Sequence, residues 1–167
     1  MVANELNKYS YNVLDIGCNQ GQLAKTIEEN VTYLGIDVAH QCIKEASLFF
    51  KNSSNITFSV LNGEDTKLKN KSFDAVTILF ALSVSPDPHQ LLKESSRLLK
   101  PGGKLYVVNH FSSGLLYKKL DCFFGKLFYA GVNFYFPISL INQTKDFNIV
   151  KRKKINLFWT YLELEKI

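Results

Sequence analysis

The chain has 167 residues, enough for one domain with a proper core and too short for two ordinary ones. Its composition, 46% hydrophobic and 21% charged, excludes a disordered or collagen-like chain. A net charge of +5 permits attraction to anionic membranes or nucleic acid without requiring either, and a basic soluble domain accounts for it equally well.

One domain over residues 1–167 is therefore expected, with no nucleic-acid partner implied. Cys18, Cys42 and Cys122 are scattered and lack CxxC spacing, so neither a disulfide framework nor a metal site is expected. The opening MVANELNKYS is polar and reads as no signal peptide. No apolar run approaches the ~20 residues of a membrane span. The expectation is a cytoplasmic protein, at most peripheral at a membrane, with its oligomeric state left open.

Tyr11 to Gly17 reads as a buried strand, and Gln20 to Asn30 as a helix with Leu23, Ala24 and Ile27 on one face. Val31 to Asp37 is a second strand. Gln41 to Lys51 is a second helix, with Ile43, Ala46, Phe49 and Phe50 inward. Ile56 to Leu61 alternates as a third strand, and Ser72 to Phe80, SFDAVTILF, is a fourth and more continuously apolar one. Pro88 to Leu99 is a helix with Leu91, Leu92, Leu98 and Leu99 as its stripe. Pro101-Gly102-Gly103 then turns the chain into a fifth strand, KLYVVN.

This β–α alternation predicts a Rossmann-like α/β fold, a mostly parallel sheet with helices on both faces. After His110 the pattern changes. Gly114 to Ala130 reads as an aromatic helix inside a lid-like insertion of about residues 111–137, and Pro137 to Lys145 as a short helix. Phe147 to Ile155 and Trp159 to Ile167 read as a closing hairpin, an unusual ending for a dinucleotide-binding domain.

Ligands of such sheets bind at the carboxyl ends of the strands. The first turn, Asp15 to Gly21, fails the G-x-G-x-x-G pattern at Asn19 and Gln22, and Asp15 would oppose a pyrophosphate. A cofactor with an ammonium group suits it better. Asp15 can sit near the amine, and Gly17 and Gly21 let the backbone approach. Asp37, followed by Val38, is placed to accept ribose hydroxyls, and Asn62-Gly63-Glu64 can offer an amide oxygen and N–H groups to an adenine edge. Singly these are ordinary turn residues; as an ordered set, each at a strand end, they point to one ligand.

The segments DIGCNQG, GIDVA, NGEDTKLKNKSFDAV and LLKPGGKLYVV resemble the class I S-adenosylmethionine-dependent methyltransferases over roughly residues 12 to 110. The resemblance implies a seven-stranded sheet whose last strand is antiparallel, and S-adenosylmethionine as cofactor. It puts Asp15, Gly17, Asn19 and Gly21 on the methionine side, Asp37 on the ribose and Asn62 and Gly63 on the adenine. Leu79 and Phe80 face the cofactor from strand four. Asn19 stands where the family usually has glycine, and Asn62 where it usually has aspartate. Asparagine tolerates left-handed backbone angles, and its side chain keeps an acceptor oxygen.

Methyl transfer from a sulfonium needs mainly positioning and a dry pocket, so no catalytic dyad is required. The segments Ser83 to Pro88, Val108 to Ser113, Phe134 to Pro137 and Lys153 to Phe158 resemble the bacterial phosphatidylethanolamine N-methyltransferases. That resemblance implies methylation of a phospholipid amine. His110 is then the candidate to accept a proton or orient the amine, and Asn109 to hold its tautomer or a phosphate oxygen. Both also read as strand-end turn residues. Lys118, Lys119 and Lys126, among aromatics, suggest peripheral membrane contact. Two alternatives stand beside it: a methyltransferase of a soluble small molecule, such as a quinone precursor or amine metabolite, and a non-catalytic partner subunit.

Overall fold

The computed structural model describes residues 1–9, 11–111, 137–156 and 159–167. The expected helix over Gly114 to Ala130, the lysines at 118, 119 and 126, Ser112, Ser113, Phe134 to Phe136, Leu157 and Phe158 lie outside those residues.

Seven strands form one sheet in the order β3-β2-β1-β4-β5-β7-β6. They are β1 (Asn12–Ile16), β2 (Thr32–Asp37), β3 (Ile56–Val60), β4 (Phe73–Leu79), β5 (Leu99–His110), β6 (Phe147–Lys154) and β7 (Trp159–Lys166). The first five pair in parallel, whereas β7 runs antiparallel to both β5 and β6. The helices are α1 (Val2–Leu6), α2 (His40–Phe49), α3 (Pro88–Leu98) and α4 (Ser139–Gln143). The Rossmann-like sheet with its closing antiparallel hairpin is thus as the sequence predicts.

Strand alternation divides the apolar residues between two cores. Leu14, Ile16, Val76, Ile78 and Val107 pack with Leu91, Leu92 and Leu98 of α3 and Ile141 of α4 on one face. Val13, Tyr33, Ala75, Tyr106 and Tyr161 pack with Val2 and Leu6 of α1 on the other. Asp87 caps α3 by accepting a hydrogen bond from the Gln90 N–H at 3.0 Å, and Pro88 occupies its first turn. No helix among the described residues is long and apolar enough to cross a membrane.

Three local expectations are corrected, and one element stands where the sequence suggested none. The predicted helix Gln20 to Asn30 is a series of turns with one 3-10 turn at Ala24–Thr26. There the Thr26 hydroxyl bonds the Leu23 carbonyl at 2.7 Å and Ile27 is already extended, so the chain leaves helical geometry after one turn. Phe49 of α2 faces out, with the Lys25 ammonium 5.2 Å from its ring centre, and only its neighbour Phe50 packs against Phe58. The Pro101-Gly102-Gly103 turn lies inside β5 as an irregularity rather than before it. Leu99 pairs with Phe73 and Lys104 with Ala75, so the chain bulges between them, and Gly102 takes φ 70. Finally, the polar opening contains α1, whose Val2 and Leu6 are buried.

Candidate functional site

The sheet order reverses between β1 and β4, whose neighbours continue in opposite directions, and a cavity of about 330 Å³ opens at the carboxyl ends of the strands there. That size falls in the range of small-molecule sites.

Nine residues named from the sequence line it: Gly17, Asn19, Asp37, Val38, Asn62, Gly63, Glu64, Leu79 and Phe80. The β1 turn folds back on β2, because the N–H groups of Gly17 and Cys18 both donate to the Ile36 carbonyl, at 2.8 and 3.0 Å. This fold-back requires left-handed backbone at Gly17 (φ 76) and Asn19 (φ 49). Gly17 admits no side chain, since a Cβ would lie 2.6 Å from that of Ala81. Asn19 takes its angle as asparagine can.

Asp37 joins the two halves of the site. One carboxylate oxygen accepts the Asn19 N–H and the other the Ala39 N–H, both at 2.9 Å. Asp37 lines the cavity, and each oxygen retains acceptor capacity beyond these bonds. Asn62 makes a tight turn, its side-chain oxygen accepting the Glu64 N–H at 3.0 Å. Gly63 must be glycine here, because a Cβ would sit 2.4 Å from Ile16 Cγ2 and 3.0 Å from Leu91 Cδ1. Glu64 binds protein groups: its carboxylate accepts from the Ser85 hydroxyl at 2.5 Å and the Asp87 N–H at 3.1 Å. It thereby anchors the loop to the start of α3.

Four of the predicted residues stand away from the cavity lining. Asp15 lies beneath it, 2% exposed, accepting hydrogen bonds from the Tyr33 hydroxyl at 2.6 Å and the Thr77 hydroxyl at 2.5 Å. It belongs to the turn's foundation, and any contact with a ligand amine runs through the turn. Gly21 is a packing glycine, since a Cβ would meet the Phe58 ring at 2.8 Å. Asn109 is 0% exposed; it accepts from the Ser83 hydroxyl at 3.2 Å and donates to the His110 carbonyl at 3.4 Å. Among the described residues these bonds tie it to the strand end. His110 is half-buried at the end of β5, opposite Trp159 of β7.

Burial raises the pKa of Asp15 to about 6, against the lowering effect of its two hydroxyl partners, and nearby Asp37 adds to the rise. A raised carboxyl pKa in the folded state favours the protonated form. The stability it contributes is complete below the ordinary value of 3.8 and is lost as pH rises through about 6. Asp15→Asn, neutral at all pH, should therefore stabilise the protein at pH 8 by on the order of 1–3 kcal/mol. It should also flatten the fall in stability between pH 4 and 6. Urea unfolding across that range checks it, and an unchanged slope would refute the assignment.

The sequence missed several lining residues, among them Ile16, Ile36, Leu61, Ala81 and Leu91. They are apolar residues at strand and helix ends, indistinguishable from core by pattern. Ser85 and Pro86 also line the cavity, on the side the sequence assigned to the acceptor. Tyr33 and Thr77 became visible only through the register that sets Thr77 opposite Asp15.

The methyltransferase domain family matches residues 14–107, more than half of the chain. The ubiquinone biosynthesis O-methyltransferase of Xanthomonas oryzae pv. oryzae (strain PXO99A) is 35% identical over 109 residues, 64% of this chain and 46% of that protein. The demethylmenaquinone methyltransferase of Tropheryma whipplei (strain Twist) is 34% identical over 96 residues, 57% of this chain and 40% of that protein. The chain thus spans less than half the length of these curated relatives. Among solved structures, a SAM-dependent methyltransferase from Methanosarcina mazei superposes with a TM-score of 0.80 at 20% identity, covering 99% of this chain and 97% of that one. The [4+2]-cyclase SpnF superposes with a TM-score of 0.83 at 16% identity, covering 99% and 78%. These structural likenesses concern the fold, and the sequence match concerns the family: the chain belongs to the methyltransferase domain family.

Proposed function

We propose that the chain binds S-adenosylmethionine in the cavity at the β1–β4 switch and methylates a small molecule of the quinone-precursor class. The observation behind this reading is the joint placement of Asp37 and Gly63 in one cavity lining. A carboxylate with open lone pairs ends β2, and a glycine that tolerates no Cβ sits on the facing loop. The first suits a ribose diol, and the second lets Ile16 and Leu91 pack against the loop, bringing apolar side chains into the cavity lining where a flat adenine can lie.

When bound, S-adenosylmethionine supplies an activated methyl group. The residues of this chain hold, orient and desolvate. Ile16, Ile36 and Leu61 make the adenine side apolar, and the Gly17–Asn19 turn, braced from below by Asp15, holds the amino-acid side. His110 stands at the end of β5, where it can take the proton that an acceptor hydroxyl releases.

Quinone precursors are favoured over the phospholipid amine because both relatives above are named for quinone methylation. The residues that suggested lipid contact fall outside the described part of the chain. The non-catalytic alternative is weakened because Asn19 fits its left-handed position without displacing the turn.

Thermal unfolding with S-adenosylmethionine or S-adenosylhomocysteine tests the cofactor. Ligand at ~100 times its dissociation constant should stabilise the fold by ~2.7 kcal/mol. No shift with either at millimolar concentration would sink the enzyme reading. Transfer of a labelled methyl group to a soluble diphenol, against phosphatidylethanolamine vesicles, then separates the acceptor classes; label entering only the vesicles would restore the lipid reading, with its peripheral membrane contact. His110→Ala should slow transfer while keeping the ligand shift, and unchanged transfer would remove His110 from the mechanism.

A further inference from the structure

Phe80 closes β4 and continues its ladder, its N–H donating to the Val108 carbonyl at 2.7 Å. It does so at φ 66, a conformation that bulky residues rarely adopt. The strain is not offset by burial, since Phe80 remains 41% exposed while lining the cavity. Its ring meets that of Trp159 edge-to-face, with centroids 5.0 Å apart, and Trp159 is itself 43% exposed. Trp159 lies directly opposite His110 in the β5–β7 ladder, so the two side chains project from the same face of the sheet. A strained, half-exposed aromatic that is at once cavity wall and partner of a second half-exposed aromatic fits a ligand platform better than a core.

We infer that Phe80 and Trp159 form the acceptor subsite, a corner of two rings that receives a planar aromatic acceptor and presents its hydroxyl toward His110. This rests on the functional reading above and deepens it. Phe80 touches both ligands: its position on the cavity wall meets the cofactor, and its ring, braced by Trp159, sets where the acceptor ring lies. The two rings are perpendicular in sense, at 64°, so a flat guest can stack on one face and meet the edge of the other. A primary amine on a flexible chain gains nothing comparable from such a corner.

Trp159 is the chain's single tryptophan, so its emission reports this subsite alone. The test titrates catechol into the full chain saturated with S-adenosylhomocysteine, exciting at the red edge of the tryptophan band, with phosphoethanolamine as the non-aromatic control. Catechol should change the emission saturably and phosphoethanolamine should not. By calorimetry, Trp159→Leu should weaken catechol binding about tenfold, equivalent to about 1.4 kcal/mol, with the thermal shift by S-adenosylhomocysteine retained. Trp159→Phe, which keeps a ring, should lose less. A saturable response to phosphoethanolamine, no response to catechol, or equal catechol affinity in Trp159→Leu would each overturn the subsite while leaving the cofactor reading in place. The wild-type titration decides the matter even if the leucine variant folds poorly. Absence of any S-adenosylhomocysteine shift in the wild type would overturn the cofactor reading and this subsite together.

Discussion

Asp37→Ala should weaken S-adenosylhomocysteine binding by about a hundredfold or more while leaving a folded protein. Hydrogen bonds to a charged acceptor contribute about 1.5–3 kcal/mol, and in the proposed site the carboxylate would accept one from each ribose hydroxyl. Loss of both corresponds to about 2.7 kcal/mol or more, which is two decades in affinity. The same substitution also releases the Asn19 and Ala39 N–H groups that Asp37 holds. Asn19 and Ala39 are exposed, so water replaces those bonds and the cost to folding stays small. Asp37→Asn should fall between, because its amide retains one acceptor oxygen and turns a donor toward the other N–H. Calorimetric titration of the three proteins checks the order, and an Asp37→Ala protein within threefold of wild type would remove Asp37 from the ribose site.

Glu94→Ala should be strongly destabilising, costing on the order of 2–4 kcal/mol at neutral pH. It removes a buried acceptor, while the partly exposed Arg97 keeps some access to water. Glu94 lies on α3, buried, and its carboxylate accepts from the Thr66 N–H at 2.9 Å and the Thr66 hydroxyl at 2.7 Å. It also receives a two-pronged contact from Arg97, at 2.7 and 2.6 Å. Arg97 reaches on to the Leu68 carbonyl at 2.7 Å and to the Asn70 side chain. The pair thus fastens the loop between β3 and β4 onto α3. Alanine would leave the guanidinium and the Thr66 donors without their acceptor, which is the expensive way to break such a network.

Burial by itself would raise the Glu94 pKa, but the hydrogen bonds from Arg97 and Thr66 outweigh it and hold it down at about 2. A depressed carboxyl pKa contributes stability above the ordinary value of 4.5 that is lost as pH falls toward about 2. The gap between wild type and Glu94→Ala should accordingly narrow across that interval in denaturant unfolding. A gap below about 1 kcal/mol at pH 7 would show that the clamp contributes little. This dependence runs opposite to that of Asp15, whose carboxyl is buried against the hydroxyls of Tyr33 and Thr77.

The central strands were legible because they are buried on both faces and read as mostly apolar runs, as in Phe73–Leu79, whereas the edge strand Ile56–Val60 was legible by its alternation. The site was legible where a backbone requirement selects the residue, as at Gly17 and Gly63, or where a charge ends a strand, as at Asp37. What stayed hidden depended on packing and register. Leu23, Ala24 and Ile27 have helical spacing, yet the Thr26 side chain bonds back to Leu23 and the run ends after one turn. Val2 and Leu6 are two apolar residues in a polar stretch, and only the sheet surface they cover makes them core. That Asp15 lies beneath the turn was hidden because its partners, Tyr33 and Thr77, come from two other strands. Trp159 showed nothing in sequence beyond strand propensity, since its meeting with Phe80 depends on β7 lying beside β5.

That position of β7 also constrains the order in which the sheet can assemble. β6 precedes β7 in the chain but lies outside it, and among the described strands β7 is its one ladder partner. When β6 leaves the ribosome, therefore, β7, the strand that will hold it, has not yet been made. Docking must wait for β7 to slide between the two, delivering Tyr161 to one core and Leu162 and Leu164 to the other in the same movement. The parallel strands can pair as they are synthesised, whereas the antiparallel edge forms as one late cooperative unit.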